Sequence, residues 1–169
     1  MPQPNKLYPT RIRIIATGGT IDKIYFDARS TFQVGDPQVV EVLQDANVAF
    51  QYDVESICRK DSLDLTDEDR QQIRNRVACC DESHVLVTHG TDTMIETAQV
   101  LQSVPDKVIV LTGAMQPARL RKTDALFNVG CAVMALQLLD PGVHIVMNGR
   151  VFDPNHVRKN WEAQRFEEA

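Results

Sequence analysis

Short apolar runs rich in Val and Ile recur along the chain and predict β-strands. They lie at residues 11–17, 50–58, 85–88, 108–112 and 144–148. The third and fourth runs are almost entirely hydrophobic, which is typical of strands buried on both faces of a parallel sheet. Asn148-Gly149 separates the last run from Val151, and Asn-Gly between apolar residues predicts a C-terminal β-hairpin.

Helix signals separate these runs. An apolar stripe follows each of three helix starts: Asp36-Pro37, where Asp36 is the predicted cap and Pro37 lies in the first turn, Thr66 and Thr93. A longer helix is predicted over residues 124–139. Thr93-Met94-Ile95-Glu96 also has the capping-box pattern, so we expect the Thr93 hydroxyl to cap its helix. Strands that alternate with helices indicate an α/β fold with a mainly parallel central sheet. Because no long linker or internal repeat interrupts the pattern, we expect residues 1–169 to form one domain, with no second domain.

The composition is that of a soluble globular protein and restricts its partners. The chain is 43% hydrophobic and 24% charged, with a net charge of −5. An acidic chain has little electrostatic attraction for nucleic acid or for an anionic membrane. No apolar run approaches the ~20 residues that cross a bilayer. The polar, Pro-rich N-terminus lacks the apolar stretch of a secretory signal, so we expect a cytoplasmic protein that binds neither nucleic acid nor membranes.

The cysteines and histidines show no metal-site spacing. Cys58, Cys79, Cys80 and Cys131 contain no paired ligand motif, and the four histidines form no HExxH pattern. The glycines after the first strand match neither GxGxxG nor GxxxxGK[ST], the motifs of nucleotide-binding loops. We therefore expect no metal and no cofactor.

Glycine and threonine cluster directly after three predicted strands. The segments are Gly18-Gly19-Thr20, Gly90-Thr91-Asp92 and Gly113-Ala114. Ligands of open α/β sheets bind beyond the carboxyl ends of the strands, so these segments are candidates for a site, as is Lys159 after the hairpin. A threonine hydroxyl can act as a nucleophile, a lysine can stabilise its alkoxide, and a backbone N–H can stabilise an oxyanion. Taken alone, each feature also fits an ordinary turn or a solvated surface charge.

Taken in order, four segments resemble a known family. They read ATGGTI (16–21), THGTDTMIETA (88–98), TGAMQP (112–117) and MNGRVFDPNHVRK (147–159). Bacterial-type L-asparaginases carry these motifs in this order, and from Arg11 to Lys159 the chain resembles the N-terminal domain of that family. Most members continue into a second domain, and the chain is similar to the short-chain asparaginases that consist of the first domain alone. The resemblance implies a flavodoxin-like three-layer fold.

The resemblance also implies a catalytic cluster of two threonines, a tyrosine, an aspartate and a lysine. The matching residues are Thr20, Tyr25, Thr91, Asp92 and Lys159. Thr20 stands where the family has its nucleophilic threonine. The position of the tyrosine is ambiguous, because Phe32 aligns with the longer loops of other members but has no hydroxyl. We assign the role to Tyr25, which can exchange a proton.

The substrate-binding residues implied by the resemblance are Asp61, Ser62, Asp92 and Ala114. Asp61 and Ser62 match the family's substrate-binding loop, in which Ser62 would hold the α-carboxylate. Asp92 would hold the α-amino group, and Ala114 would supply a backbone contact near the scissile carbonyl.

The function that follows is hydrolysis of L-asparagine to L-aspartate and ammonia through an acyl-threonine intermediate. Thr20 would attack first, although the reverse order, with Thr91 attacking first, is open. Glutamine or another amide is an alternative substrate, and a non-catalytic amino-acid-binding module is an alternative function. The family assembles as dimers and tetramers, so the resemblance also implies a homo-oligomer.

Overall fold

The structure is a computed structural model that describes residues 11–26 and 31–169. Residues 1–10, on which the expectation of no secretory signal rests, lie outside the described residues. The strands are β1 (Arg11–Gly18), β2 (Lys23–Phe26), β3 (Thr31–Val34), β4 (Gln51–Lys60), β5 (His84–Thr88), β6 (Val108–Thr112), β7 (Gly142–Met147), β8 (Arg150–Phe152), β9 (Val157–Asn160) and β10 (Arg165–Glu168). The helices are α1 (Val39–Asp45), α2 (Asp67–Cys79), α3 (Met94–Leu101) and α4 (Ala125–Leu138).

A six-stranded sheet in the order β4-β1-β5-β6-β7-β8 forms the centre of the fold. Its first five strands are parallel and β8 is antiparallel. Each predicted apolar run forms one of the parallel strands, so the prediction of a mainly parallel α/β fold is confirmed. The hairpin formed by β2 and β3 lies outside this sheet, and without it the five parallel strands have the flavodoxin-like order 2-1-3-4-5. The strand order reverses between β1 and β5, and this topological switch point is where such sheets bind ligands.

Helices cover both faces of this sheet. On one face, Ile15 and Leu111 pack in a core shared with α2 and α3. On the other, Ile14 and Val110 pack in a core shared with α1 and α4. Successive side chains of a strand point to opposite faces of the sheet, so a single strand contributes to both cores. The predicted three-layer arrangement is confirmed.

The predicted hairpin at Asn148-Gly149 is present. Met147 pairs with Arg150 in an antiparallel ladder, and the two turn residues have φ values of 54° and 78°. Positive φ at both central residues is the geometry of a type I′ turn. Two further hairpins, β2–β3 and β9–β10, were not predicted, because strands of four residues are too short to establish a clear alternation.

Helix α2 begins where it was predicted to begin, after Thr66, and α4 begins and ends close to its predicted bounds. The hydroxyl of Thr66 accepts a hydrogen bond from the Asp69 N–H at 3.2 Å, and the Asp69 side chain accepts one from the Thr66 N–H at 2.9 Å. This reciprocal capping box fixes the first turn of α2. In the part of the chain that the structure describes, no helix has the length and hydropathy to cross a membrane.

The start of α1 differs from the prediction. Asp36 does not cap the helix, because its carboxylate pairs with Arg59 at 2.7 Å. The N–H of Gln38, just before the helix, donates instead to the carboxylate of Asp22 at 2.8 Å. A buried carboxylate distant in sequence therefore occupies the place that the local pattern assigned to Asp36.

Candidate active site

Three loops meet at the switch point between β1 and β5. A Cβ added to Gly19, after β1, would lie 2.4 Å from the backbone of Gly90, after β5. A Cβ added to Gly90 would lie 2.5 Å from the side chain of Ser62, in the loop after β4. The loops are therefore in direct contact, and only glycine, which has no Cβ, permits such a close approach. Thr20 and Thr91, which follow these glycines, are thereby brought to the same crevice.

Thr20 opens a short 3₁₀ turn that the backbone holds in place. The N–H of Gly19 donates to the carbonyl of Lys60 at 2.9 Å, and the N–H of Asp22 donates back to the carbonyl of Gly19 at 3.2 Å. Thr20 itself is half-buried. These bonds hold Thr20 on a fixed turn next to Gly19, which contacts the loop of Gly90.

The predicted cluster of Thr91, Asp92 and Lys159 is assembled. The Lys159 ammonium donates to the hydroxyl oxygen of Thr91 at 2.8 Å and to a carboxylate oxygen of Asp92. The side chain of Lys159 is only 9% exposed, so the carboxylate offsets the cost of removing the ammonium from water. Because Thr91 accepts from Lys159, its own proton can be donated to another group. A positive charge also lies beside the oxygen on which an alkoxide would form.

Trp161 completes the surroundings of Lys159 and was not identified from the sequence. The Lys159 Nζ lies 3.9 Å from the centroid of the Trp161 ring. An ammonium has three N–H donors, of which Thr91 and Asp92 receive two, and the face of an indole attracts a cation. Trp161 lies in the turn just after β9 (Val157–Asn160), so the alternation of the strand does not place its ring, and no local sequence signal identified this contact.

The loop that contains Asp61 and Ser62 is held by an ion pair. Lys23 lies 2.7 Å from the Asp61 carboxylate, which also accepts from the Leu63 N–H at 3.2 Å. Partial burial acts to raise the pKa of Asp61, but the hydrogen bonds from Lys23 and Leu63 outweigh it and lower the pKa. Ser62 is 2% exposed and packs against Gly90.

Thr93 does not cap α3 with its side chain, so that prediction was wrong. Its hydroxyl donates to the Ser62 carbonyl at 2.7 Å, and no side-chain capping bond is made. The sequence pattern fits a capping box, but an acceptor from another loop takes the hydroxyl. Thr93 therefore ties the start of α3 to the loop of Ser62.

Tyr25 lies on β2, in the hairpin that leads away from Thr20. Its ring is 56% exposed and makes an edge contact with Phe32, with 5.7 Å between the ring centroids. Tyr25 and Phe32 are paired directly across the hairpin, so the two candidates for the family's loop aromatic are neighbours.

His89 is a structural residue that supports the second loop. It is fully buried, with Nδ1 lying 2.7 Å from the Gly90 carbonyl and Nε2 lying 2.8 Å from the Thr97 hydroxyl. Burial lowers the pKa of His89 to about 4, so the imidazole is neutral at pH 7. A neutral ring that donates from Nδ1 to a carbonyl accepts at Nε2. His89 thus joins the loop to α3 and needs no charged partner.

Asp22 is a second residue that the sequence did not identify. It is 1% exposed and follows Thr20 by two positions. Burial raises the pKa of Asp22 to about 7, although the hydrogen bond from the Gln38 N–H acts to lower it. The short interval from Thr20 was the only sequence signal for a role beside the site.

The loop after β6 is supported by Asp124, at the start of α4. Its carboxylate accepts from the backbone N–H groups of Met115 and Gln116, at distances of 2.9 to 3.0 Å. Asn128 donates to the Gly113 carbonyl at 3.0 Å. Ala114, between these anchors, is fully buried, and its backbone is therefore positioned firmly.

No group of three or more His, Cys, Asp or Glu side chains suited to holding a metal ion occurs among the residues that the structure describes. The ionic groups of the site are the Lys159–Asp92 and Lys23–Asp61 pairs. The chemistry available to the described site is therefore that of hydroxyl, ammonium and carboxylate groups.

The chain is similar to known asparaginases over nearly its whole length. The family model described as Asparaginase, N-terminal matches residues 11–167. The chain is 34% identical to the glutaminase-asparaginase of Acinetobacter glutaminasificans over an alignment of 164 residues, which covers 86% of this chain and 48% of that protein. It is 31% identical to L-asparaginase 2 of Escherichia coli K12, covering 88% of this chain and 46% of that protein.

A solved structure shows the same likeness. The probable cytoplasmic L-asparaginase from Campylobacter jejuni superposes with a TM-score of 0.79 and 29% identity, over 94% of this chain and 51% of that one. The chain thus spans about half the length of the relatives that it matches.

Proposed function

Because this chain belongs to the asparaginase family, we propose that it hydrolyses the side-chain amide of L-asparagine to give L-aspartate and ammonia. The observation that carries the proposal is the buried contact of Lys159 with both Thr91 and Asp92, beside the turn of Thr20. A protein that only binds an amino acid requires charged groups for the ligand's ammonium and carboxylate. It does not require the hydroxyls of Thr20 and Thr91, or a lysine hydrogen-bonded to Thr91.

In the proposed mechanism, Thr20 Oγ attacks the carbonyl carbon of the side-chain amide, and Tyr25 assists the transfer of its proton. Backbone N–H groups near Thr20 and Ala114 stabilise the oxyanion. The C–N bond breaks, ammonia takes up the proton and leaves, and an acyl-threonine ester is formed. Water, activated beside Thr91 and Lys159, then attacks this ester. Its proton passes through the Thr91 hydroxyl to Thr20 Oγ as the C–O bond to Thr20 breaks, and aspartate and free Thr20 are released.

The proposed substrate contacts use groups at the edges of the same crevice. One Asp92 oxygen pairs with Lys159, and the other accepts no hydrogen bond within the described ranges, so it can accept one from the substrate's α-ammonium. Ser62 would donate to the α-carboxylate from the adjacent loop. Together the two contacts would place the side-chain amide between Thr20 and Thr91.

Two alanine variants test the assignment of the threonines. Thr20→Ala and Thr91→Ala should each reduce ammonia release from asparagine by about 10³-fold or more, because removing one member of a cooperating set costs nearly as much as removing all of them. Thr66→Ala is the matched control: it removes a helix cap at a cost of about 1 kcal/mol in stability, and it should leave turnover nearly unchanged.

The order of the two threonines is tested by trapping. Rapid acid quenching followed by peptide mass spectrometry should find the acyl group on Thr20. An ester on Thr91 would reverse the proposed roles. Near-wild-type turnover in a folded Thr20→Ala variant would refute a nucleophilic role for Thr20.

Glutamine is the second candidate substrate, because one relative is named a glutaminase-asparaginase. Initial rates of ammonia release from asparagine and from glutamine, each measured over a range of concentrations, distinguish the two. Thermal stabilisation by asparagine without turnover of either amide would identify the chain as a binding module.

We also propose a cytoplasmic location and a homo-oligomeric state. The structurally similar protein from Campylobacter jejuni is named as probably cytoplasmic, whereas a relative from Haemophilus influenzae is named as periplasmic. Fractionation of the native host, with detection of the full chain by antibody, tests the location. Recovery in the periplasmic fraction would contradict it.

A further inference from the structure

Helix α4 presents an exposed apolar face that the fold itself does not cover. Its 14 residues include no Asp, Glu, Lys or Arg, so the side toward solvent lacks the charged residues of an ordinary surface helix. The large exposed side chains on this face are Leu126 (55%), Phe127 (60%), Met134 (52%) and Leu138 (66%). At 100° per residue they lie on one continuous stripe, which we call the α4 face.

The α4 face has a recess at its centre. Gly130 lies within the stripe beside Met134, it is exposed, and a Cβ added there would meet no atom within 4 Å. Gln137 is the one polar side chain within the stripe, and it donates to the carbonyl of Val133 in its own helix at 3.1 Å. The surface is thus apolar, with a depression in the middle flanked by large side chains. These are features of an interface core rather than of a solvated surface.

The charges that flank α4 indicate what covers this face. Arg121 and Lys122 precede the helix and Asp140 follows it, and none of the three forms an ion pair within the described ranges. In the monomer this placement is unfavourable, because cations are disfavoured near the positive end of a helix dipole and anions near the negative end. A second α4 helix running antiparallel would bring the end of one copy that has Arg121 and Lys122 near the end of the other copy that has Asp140.

We propose that the α4 face is the interface of a homodimer, formed by antiparallel packing of α4 against α4 about a two-fold axis. With the axis beside Gly130 and Met134, Gly130 of each copy faces Met134 of the other, and Leu126 faces Leu138. The Met134 side chain of each copy then enters the recess at Gly130 of the other copy. This self-complementarity is what a two-fold interface requires.

Gly130→Arg is the most direct test of this dimer. Inside the monomer the substitution has room, and a helix favours Arg over Gly by about 0.8 kcal/mol, so the fold should be retained or stabilised. In the dimer it would place two unpaired guanidinium groups at an apolar centre, and the dissociation constant should rise by about 100-fold or more. Gln71→Arg adds the same charge at an exposed position on α2 and serves as the matched control.

The measurement is sedimentation velocity over a concentration series of the full chain. The wild type and Gln71→Arg should show a concentration-dependent species of twice the 19.0 kDa chain mass, and Gly130→Arg should sediment as a monomer. At a concentration low enough to dissociate the wild type, the thermal midpoint of Gly130→Arg should equal that of the wild type or exceed it. A wild type that remains monomeric at 100 µM would overturn the proposal. So would a dimer that Gly130→Arg leaves intact, which would place the interface elsewhere.

Charge exchange tests the antiparallel direction. Asp140→Lys should weaken the dimer by about tenfold, because it sets like charges opposite each other. Adding Arg121→Asp and Lys122→Asp to that variant should restore dimerisation, since opposite charges face each other again. If the triple variant dimerises no better than Asp140→Lys, the antiparallel arrangement is refuted.

Discussion

Asp22→Asn should remove a pH-dependent loss of stability that one buried carboxyl group produces. The Asp22 side chain is almost completely enclosed, and burial is the main reason that its pKa is raised to about 7. The hydrogen bond from the Gln38 N–H and the charge of Arg59 act to lower the pKa, and the charge of Asp36 acts to raise it. Asparagine has nearly the same shape and keeps an oxygen that can accept from Gln38, but it cannot ionise.

The sign follows from proton binding in the two states. In the unfolded chain the group titrates near its ordinary value of 3.8, and in the folded protein it titrates near 7. Between these values the folded state holds a proton that the unfolded state has lost, so stability falls as pH rises. The slope is about 1.4 kcal/mol per pH unit below pH 7 and decreases as the group ionises, so the loss is about 2–3 kcal/mol between pH 5 and pH 8. Above about pH 8 the group is ionised in both states and this contribution is constant.

Urea unfolding at half-unit pH intervals from pH 5 to pH 8 measures the effect. Wild-type stability should decline relative to Asp22→Asn by about 2–3 kcal/mol between pH 5 and pH 8, and the difference should level off as pH 8 is approached. Comparing the two proteins subtracts the titration of every other group. Asp45→Asn, at an exposed position at the end of α1, is the matched control and should follow the wild type.

Parallel stability profiles for the wild type and Asp22→Asn would refute the reasoning. That result would mean that Asp22 is ionised in the fold throughout this range and that other groups solvate its charge. A difference that grows in the opposite direction would show that ionised Asp22 stabilises the turn after Thr20.

Two further substitutions test the close packing and the cation site. Gly90→Ala places a methyl group 2.5 Å from the side chain of Ser62, so it should destabilise the fold by about 1–3 kcal/mol in thermal unfolding. Gly130→Ala is the comparison: the space there is open, and the substitution should stabilise dilute protein by about 0.8 kcal/mol. Trp161→Ala should lower kcat/KM for asparagine roughly fivefold, because it removes about 1 kcal/mol of cation–π attraction on Lys159. Trp161→Phe keeps an aromatic ring and should recover much of the lost kcat/KM. Equal losses in the two variants would contradict a cation–π role for Trp161.

Local patterns predicted the elements of this fold well. Five apolar runs became five parallel strands, Thr66 capped α2, and Asn148-Gly149 formed its turn. Each of these depends on interactions between residues close in the chain, or on burial that repeats with the period of the element. The failures at Asp36 and Thr93 have one cause, because in both a distant group replaced the expected local hydrogen bond.

By itself, the sequence determined the order of elements and the candidate residues of the site, including Thr20, Thr91 and Lys159. Only the tertiary structure decided how they meet. The Lys159 ammonium reaches Thr91 across 68 positions of sequence, and Gly19 touches Gly90 because β1 and β5 are neighbours in the sheet. No local pattern contains this information, since the pairing of strands depends on the packing of the whole chain.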